Sequence, residues 1–169
     1  VIDSLRAEAV AKARQADVVI YVGGLNKNAF QDCESTDRKS YNLPFSQNEL
    51  IEELVAVNPN LVIANISGNA YAMPWLQKVP AILHISYLGT MGGASIADVI
   101  SGKVNPSGKL PYSFPVKLSD CSAHFFGEEA YPGIDTGKDD VSLTDYQRNV
   151  GVNPKEEYKD DILVGYRWH

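Results

Sequence analysis

Three short runs of aliphatic and β-branched residues, at 18–22, 61–66 and 81–85, limit the possible folds more than any other feature of this chain. The first is continuously apolar rather than alternating, the pattern of a strand buried on both faces of a parallel sheet, and the other two, broken only by Asn65 and His84, read as further buried strands. Each also runs on to glycine, at Gly23-Gly24, Gly68 and Gly89. Helical periodicity fills the intervals. Ile2, Leu5, Ala9 and Ala13 recur at helical spacing before the first run, with Asp3, Arg6, Glu8, Lys12 and Arg14 on the other faces. Ser46 and Glu49 read as a capping box, and Leu50, Ile51, Leu54 and Val55 draw an apolar stripe that Asn58-Pro59 ends. A third helix, about 94–100, closes at Gly102. Strands alternating with helices predict an α/β fold: a mostly parallel sheet sandwiched between helices in three layers, α/β/α, with right-handed crossovers. In such sheets the loops at the strand C-termini carry function, here 24–45, 68–75 and 89–93.

From 105 to 161 prolines, glycines and charges outnumber periodic apolar positions, which predicts mostly loop. One short strand is expected at 111–114 and an ordered apolar terminus at 162–168. The 169 residues, 44% of them apolar, suffice for one core, so a single domain is expected over 1–169. With 21 acidic against 15 basic side chains the net charge is -6, and no basic run offers a patch for nucleic acid or a membrane surface. No apolar run approaches the roughly 18 residues of a membrane span, and the N-terminus lacks the pattern of a signal peptide. Localisation cannot be read from these features. Cys33 and Cys121 are too few and too far apart for a metal knuckle or disulfide framework, and are read as free thiols.

The first chemical candidate is Asp32-Cys33-Glu34-Ser35-Thr36-Asp37-Arg38, a carboxylate-rich cluster in a long loop leaving a buried strand. Loops of that length in a compact domain tend to be functional or mobile. A carboxylic acid that must hold a proton near neutral pH needs burial or a neighbouring negative charge, and a closing loop can supply both. Spacing alone nevertheless favours the plainer reading, a solvated surface with weak ion pairs. Gly23-Gly24 and Gly92-Gly93 match neither phosphate-binding glycine pattern and are read as tight turns. His84 lies inside a strand, as a core histidine, and His124 and His169 have no partners at metal-binding spacing. No cofactor or metal is called for. Trp75 is read as a core plug rather than a sugar-stacking platform. The serine-nucleophile pattern G-x-S-x-G does not occur, and the sequon Asn65-Ile66-Ser67 falls in a buried strand.

Taken together, the motifs resemble the second domain of family 3 of the glycoside hydrolases, the β-glucosidase and β-xylosidase type. The resemblance is carried by Ala16-Asp17-Val18-Val19-Ile20 running into Gly23 and Leu25, then Glu34 with Asp37-Arg38, Leu43-Pro44, Gln47 and Glu49-Leu50-Ile51. It continues through Asn58-Pro59-Asn60, Ser67-Gly68, Met73-Pro74-Trp75-Leu76 and Ala97-Asp98-Val99. Its most specific stretch is Gly102-Lys103-Val104-Asn105-Pro106-Ser107-Gly108-Lys109-Leu110-Pro111 with Phe114-Pro115, and it ends on Val164-Gly165-Tyr166-Arg167. Only about 122–159 has no counterpart, and that segment is expected to be a loop insertion.

The resemblance implies a retaining exo-β-glycosidase in which this domain supplies the acid/base carboxylate and a preceding barrel supplies an aspartate nucleophile. Glu34, three residues before Asp37-Arg38, stands at the matching position, with Asp37 and Arg38 as supporting residues. Glu128 and Glu129 are the rivals for the acid role. The implied partners are a carbohydrate, a β-glucoside or β-xyloside, and the N-terminal barrel; nucleic acid and membrane are not expected. The family is frequently periplasmic or secreted. Two departures stand out. Thr90-Met91 occupies the place where family members often carry Gln-Glu. Both ends also resemble truncations of the family's domain, and because retaining hydrolysis needs both carboxylates and only one is assigned here, the piece alone is expected to be inactive. The competing reading is a noncatalytic doubly wound module for binding or scaffolding.

Overall fold

A computed structural model describes residues 2–34, 36, 38–131, 133–134 and 155–168. The chain divides into two compact units, residues 1–110 and 111–169.

The first unit holds a parallel sheet of three strands, β1 (Val19–Gly24), β2 (Leu61–Ile66) and β3 (Ala81–Ile85), in the order β1-β2-β3. Tyr21 pairs with Ile63 and Gly23 with Asn65, while Ile63 and Asn65 pair in turn with Ile82 and His84. Helix α1 (Ile2–Ala13) precedes the sheet, α2 (Gln47–Val57) joins β1 to β2, and α3 (Gly92–Ile100) follows β3. The α/β class predicted from the alternating pattern is the one observed. Helices α1 and α2 pack on each other, and α2 packs on β1. Across the helix pair Arg6 makes a two-pronged bond to Glu53, at 2.9 and 2.7 Å. Asn58, just past α2, donates its amide to the carbonyls of Ala13 and Ala16 at 2.9 and 2.7 Å. It thereby satisfies carbonyls that the end of a helix leaves without partners.

The core lies between α2 and the sheet. Tyr21, Ile63 and Asn65 share the strand face turned to α2, where Ile51 and Leu54 close over them. The expectation that the first strand is buried on both faces is overturned: Ile20 and Val22, alternating with Tyr21, are 50% and 62% exposed, and Val18 is 55% exposed. The reason is which face is covered: Tyr21, 9% exposed, lies on the face of β1 that α2 packs against, and Ile20 and Val22 point to the opposite face. A continuous apolar run reports a strand, and cannot say whether both of its faces end up covered.

The capping box at Ser46 and Glu49 is not formed either. Phe45 and Ser46 both take left-handed backbone, φ 59° and 56°, and Ser46 makes no side-chain cap bond. A capping serine needs extended backbone to bring its oxygen over the first helical N–H groups, and here the backbone is turned the other way. Trp75 is the plug expected of it, 0% exposed, with its indole N–H donating to buried Asn48 Oδ1 at 3.0 Å. Asn65 is fully buried, so its sequon is inaccessible.

His84 faces Tyr71, with Nδ1 3.5 Å from the phenol oxygen. Burial lowers the His84 pKa below its ordinary value near 6.5. The unfolded chain therefore takes up a proton at higher pH than the folded one. The stability contributed by neutral His84 is present above about pH 6.5 and is lost as pH falls through the lowered folded value. The melting temperature should drop less between pH 7 and 5 in His84→Gln than in the wild type; parallel curves would remove His84 as a source of acid sensitivity.

In the second unit a 3-10 turn (Leu118–Asp120) leads into α4 (Ser122–Phe125), and a second 3-10 turn lies at Gly165–Arg167. Ser122 Oγ donates to the buried Asp160 carboxylate at 2.9 Å, and Trp168 Nε1 to the Asp120 carbonyl at 2.7 Å. The Trp168 ring stacks with Phe125 and Phe126, centroids 5.3 and 5.8 Å apart. The apolar terminus expected at 162–168 is thus held by Trp168, whereas Ile162, Leu163, Val164 and Tyr166 are exposed. No strand forms at 111–114: Pro111 and Pro115 remove two ladder donors, and no strand pairs with the segment. Of the insertion expected at 122–159, residues 132 and 135–154 lie outside the described residues.

Candidate functional site

The long loop 25–46 leaves the C-terminal end of β1 and returns as α2, and one side chain closes it at both ends. Gln47 Oε1 accepts from Gly24 N at 2.8 Å and from Tyr21 Oη at 2.7 Å. Its Nε2 donates to the carbonyls of Gly24 and Pro44, at 2.8 and 3.0 Å. Gly24 has φ 121°, and a Cβ there would collide with the Ile66 backbone, so no other residue fits without strain.

In its middle the loop is anchored to the segments that follow β2 and β3. Asp32 Oδ2 accepts from Gly68 N at 2.6 Å and from Tyr87 Oη at 2.7 Å, and Oδ1 accepts from the Asn69 side-chain amide. Six positions later Arg38 Nη2 donates to the Ala70 carbonyl at 2.6 Å. Ser67, fully buried, braces the turn receiving both anchors by donating its hydroxyl to Asn69 O at 2.6 Å. A Cβ on Gly68 would stand 3.0 Å from the Tyr87 ring and 3.1 Å from Asp32 Oδ2. The bare Cα lets the carboxylate reach the backbone N–H.

Electrostatics follow from this contact set. Burial lowers the Arg38 pKa and the Asp32 charge opposes that shift. Burial, with the bond to Asp32, raises the Tyr87 phenol well above its ordinary value, so Tyr87 remains a donor at any physiological pH. Lys27 Nζ sits 4.5 Å above the Tyr87 ring.

Glu34 stands between the two anchors, on an exposed turn pinched by an antiparallel bridge between Cys33 and Thr36. The Cys33 thiol donates to the Glu34 carbonyl at 3.3 Å. Beside this turn a cleft of about 410 Å³ is lined by Phe30, Arg38, Lys39, Ser40, Asn42, Leu43 and Pro44. Phe30 is held in left-handed backbone, φ 62°, donates its N–H weakly to Thr36 Oγ1 at 3.4 Å, and carries Lys39 Nζ 4.8 Å above its ring.

Of the expected site residues, Glu34 and Arg38 therefore share one anchored loop, and Asp37 lies outside the described residues. The rivals Glu128 and Glu129 belong to the second unit. Glu129 is ion-paired with Lys159, whose hydrogen bond and charge lower its carboxyl pKa, the opposite of what a proton donor at neutral pH needs. Cys33 and Cys121 are free thiols. Asp32 as an anchor was not foreseen: it was visible among the acids of the loop, but its partners come from turns 36 and 55 positions away.

Comparison with known proteins gives one consistent result. The family model for the glycosyl hydrolase family 3 C-terminal domain matches residues 3–166. The chain is 57% identical over 168 residues to β-glucosidase BoGH3A of Bacteroides ovatus, covering 99% of this chain and 20% of that protein. Among solved structures, DesR, a β-glucosidase from Streptomyces venezuelae in complex with D-glucose, matches with a TM-score of 0.79 at 32% identity. That match covers 98% of this chain and 18% of DesR. A β-glucosidase from Kluyveromyces marxianus matches with a TM-score of 0.75 at 32% identity, over 98% of this chain and 17% of its own. The chain spans about a fifth of the length of the curated relatives it matches.

Proposed function

The chain belongs to glycosyl hydrolase family 3, whose C-terminal domain it carries, and from that premise we propose that it forms part of a retaining exo-β-glycosidase, β-glucosidase-like, and contributes Glu34 as its acid/base. The observation that carries the reading is the exposed position of Glu34 on a loop at the C-terminal end of β1, fastened on both sides by Asp32 and Arg38. Exposure leaves the carboxyl open to a substrate, and the fastening fixes where it is presented. In the first step Glu34 protonates the departing glycosidic oxygen. In the second, as carboxylate, it takes a proton from the water that attacks the glycosyl-enzyme. The nucleophile is a carboxylate from outside these 169 residues, about 5–5.5 Å from Glu34 in the assembled site. The substrate class is a terminal β-glucoside or β-xyloside, and the β-glucosidases to which the chain is similar support the glucoside. The 169 residues alone release no nitrophenol from an aryl β-glucoside at enzyme-like rates, because retaining hydrolysis needs both carboxylates.

Azide tests the assignment. In the complete enzyme Glu34→Ala acts on an activated aryl glucoside to give a glycosyl-enzyme that lacks its base. Added azide should accelerate turnover and yield the β-configured glycosyl azide. No acceleration and no azide product would remove Glu34 from the acid/base role.

A further inference from the structure

We propose that Asp32 is the positioning residue of the acid/base loop: its carboxylate ties the strand of loop just before Glu34 to the turns after β2 and β3, and so sets where Glu34 presents its proton. This rests on the reading of Glu34 above and adds to it a second carboxylate with a different task. Asp32 and Glu34 are two residues apart in one loop, and the fold treats them oppositely. Asp32 turns inward and accepts from three donors, Gly68 N, Tyr87 Oη and the Asn69 amide. Glu34 is exposed, and among the described residues its carboxylate has no hydrogen-bond or ion-pair partner.

The donors on Asp32 come from rigid parts of the molecule. Gly68 and Asn69 follow β2, the central strand, directly, and Tyr87 lies two residues beyond β3. Bonds from neutral donors to an ionised carboxylate are stronger than neutral pairs and directional at both oxygens. Three of them define the carboxyl plane, where one would leave a swivel. Arg38, half-buried and with Nη1 unpartnered among the described residues, has the Asp32 charge as its compensating neighbour, so the two anchors support each other. Position matters here because misplacing a catalytic group by about 1 Å can cost on the order of 100-fold in rate.

Asp32→Asn is nearly isosteric but removes the charge and turns one acceptor oxygen into an NH2, so either a donor meets a donor or the Asn69 amide turns over to accept from it, and the charge-assisted bonds are lost in both cases. Tyr87→Phe removes one bond alone. Both are to be made in the complete enzyme, beside Glu34→Gln, and kcat/KM measured for cellobiose and for 2,4-dinitrophenyl β-glucoside, whose leaving group departs without protonation. Asp32→Asn should lower kcat/KM for cellobiose by about 10-fold or more and that for the dinitrophenyl glucoside by less than about 3-fold; Tyr87→Phe should show the same split at smaller size. A side chain that only stabilises the fold would lower both substrates alike or change only the melting temperature, and either result overturns the proposal. Should Asp32→Asn fail to fold, Tyr87→Phe decides alone: no split, no anchor. If Glu34→Gln itself shows no split, the acid/base reading falls; if Glu34→Gln shows it and the anchor variants do not, only Asp32 is removed.

Discussion

In the complete enzyme, Glu34→Gln should lower kcat/KM for cellobiose by about 100- to 10,000-fold, the range that general acid catalysis contributes. It should leave the 2,4-dinitrophenyl β-glucoside within about 10-fold of the wild type, on the same reasoning about leaving groups. Gln keeps the shape and removes the transferable proton, so loss must grow with the basicity of the departing oxygen. The rate against leaving-group pKa should therefore steepen in the variant. Equal losses across the series would mean that Glu34 acts on binding or folding and that the proton comes from elsewhere. Glu128→Gln, in the second unit, is the matched control and should leave the slope unchanged.

The largest loss of stability is expected at Trp75. Its side chain is 0% exposed and among the largest fully buried ones, and truncating a buried Trp to Ala costs about 3–5 kcal/mol. Asn48 Oδ1, on the buried side of α2, would lose the indole donor whose bond it accepts at 3.0 Å, adding to that cost. Domains of this size are stable by roughly 5–15 kcal/mol in total, so Trp75→Ala removes a large share. At about 2–4 °C per kcal/mol the melting temperature should fall by about 6–20 °C. Trp75→Phe, which keeps most of the volume and loses the N–H with part of the bicyclic ring, should fall by much less. A drop below about 3 °C for Trp75→Ala would show that the cavity collapses and that Trp75 is not the keystone of this core.

Much of the fold can be read from the chain because its signals are local. Leu61–Ile66 and Ala81–Ile85 are strands at their expected bounds, and α2 runs to Val57, just short of the Asn58-Pro59 stop. The misreadings involve partners rather than propensities. Whether Ile20 and Val22 are covered depends on what packs on their face of β1, and whether Ser46 caps α2 depends on the backbone imposed by the loop before it. The site divides in the same way. Glu34 emerges from a family pattern and not from its own chemistry, since the acids of this loop look alike in one dimension. Only the fold of Gly68, Asn69 and Tyr87 around Asp32 separates the inward acid from the outward one.

The two anchors on the loop also set a clock. A free loop of 22 residues, 25–46, would sample its conformations as one long polymer, whereas Asp32 and Arg38 cut it into shorter spans with Glu34 in the briefest. Each halving of free length recovers about 0.6 kcal/mol of closure entropy. Closing a loop of about ten residues takes about 10–100 ns. Enzymes in general turn over about 1–1,000 times per second, so on the acid/base role proposed for Glu34 a loop held in this way would relax roughly 10,000 times or more per turnover. On that proposal, changes at the anchors would register as a shift in average geometry rather than as a slow step in the cycle.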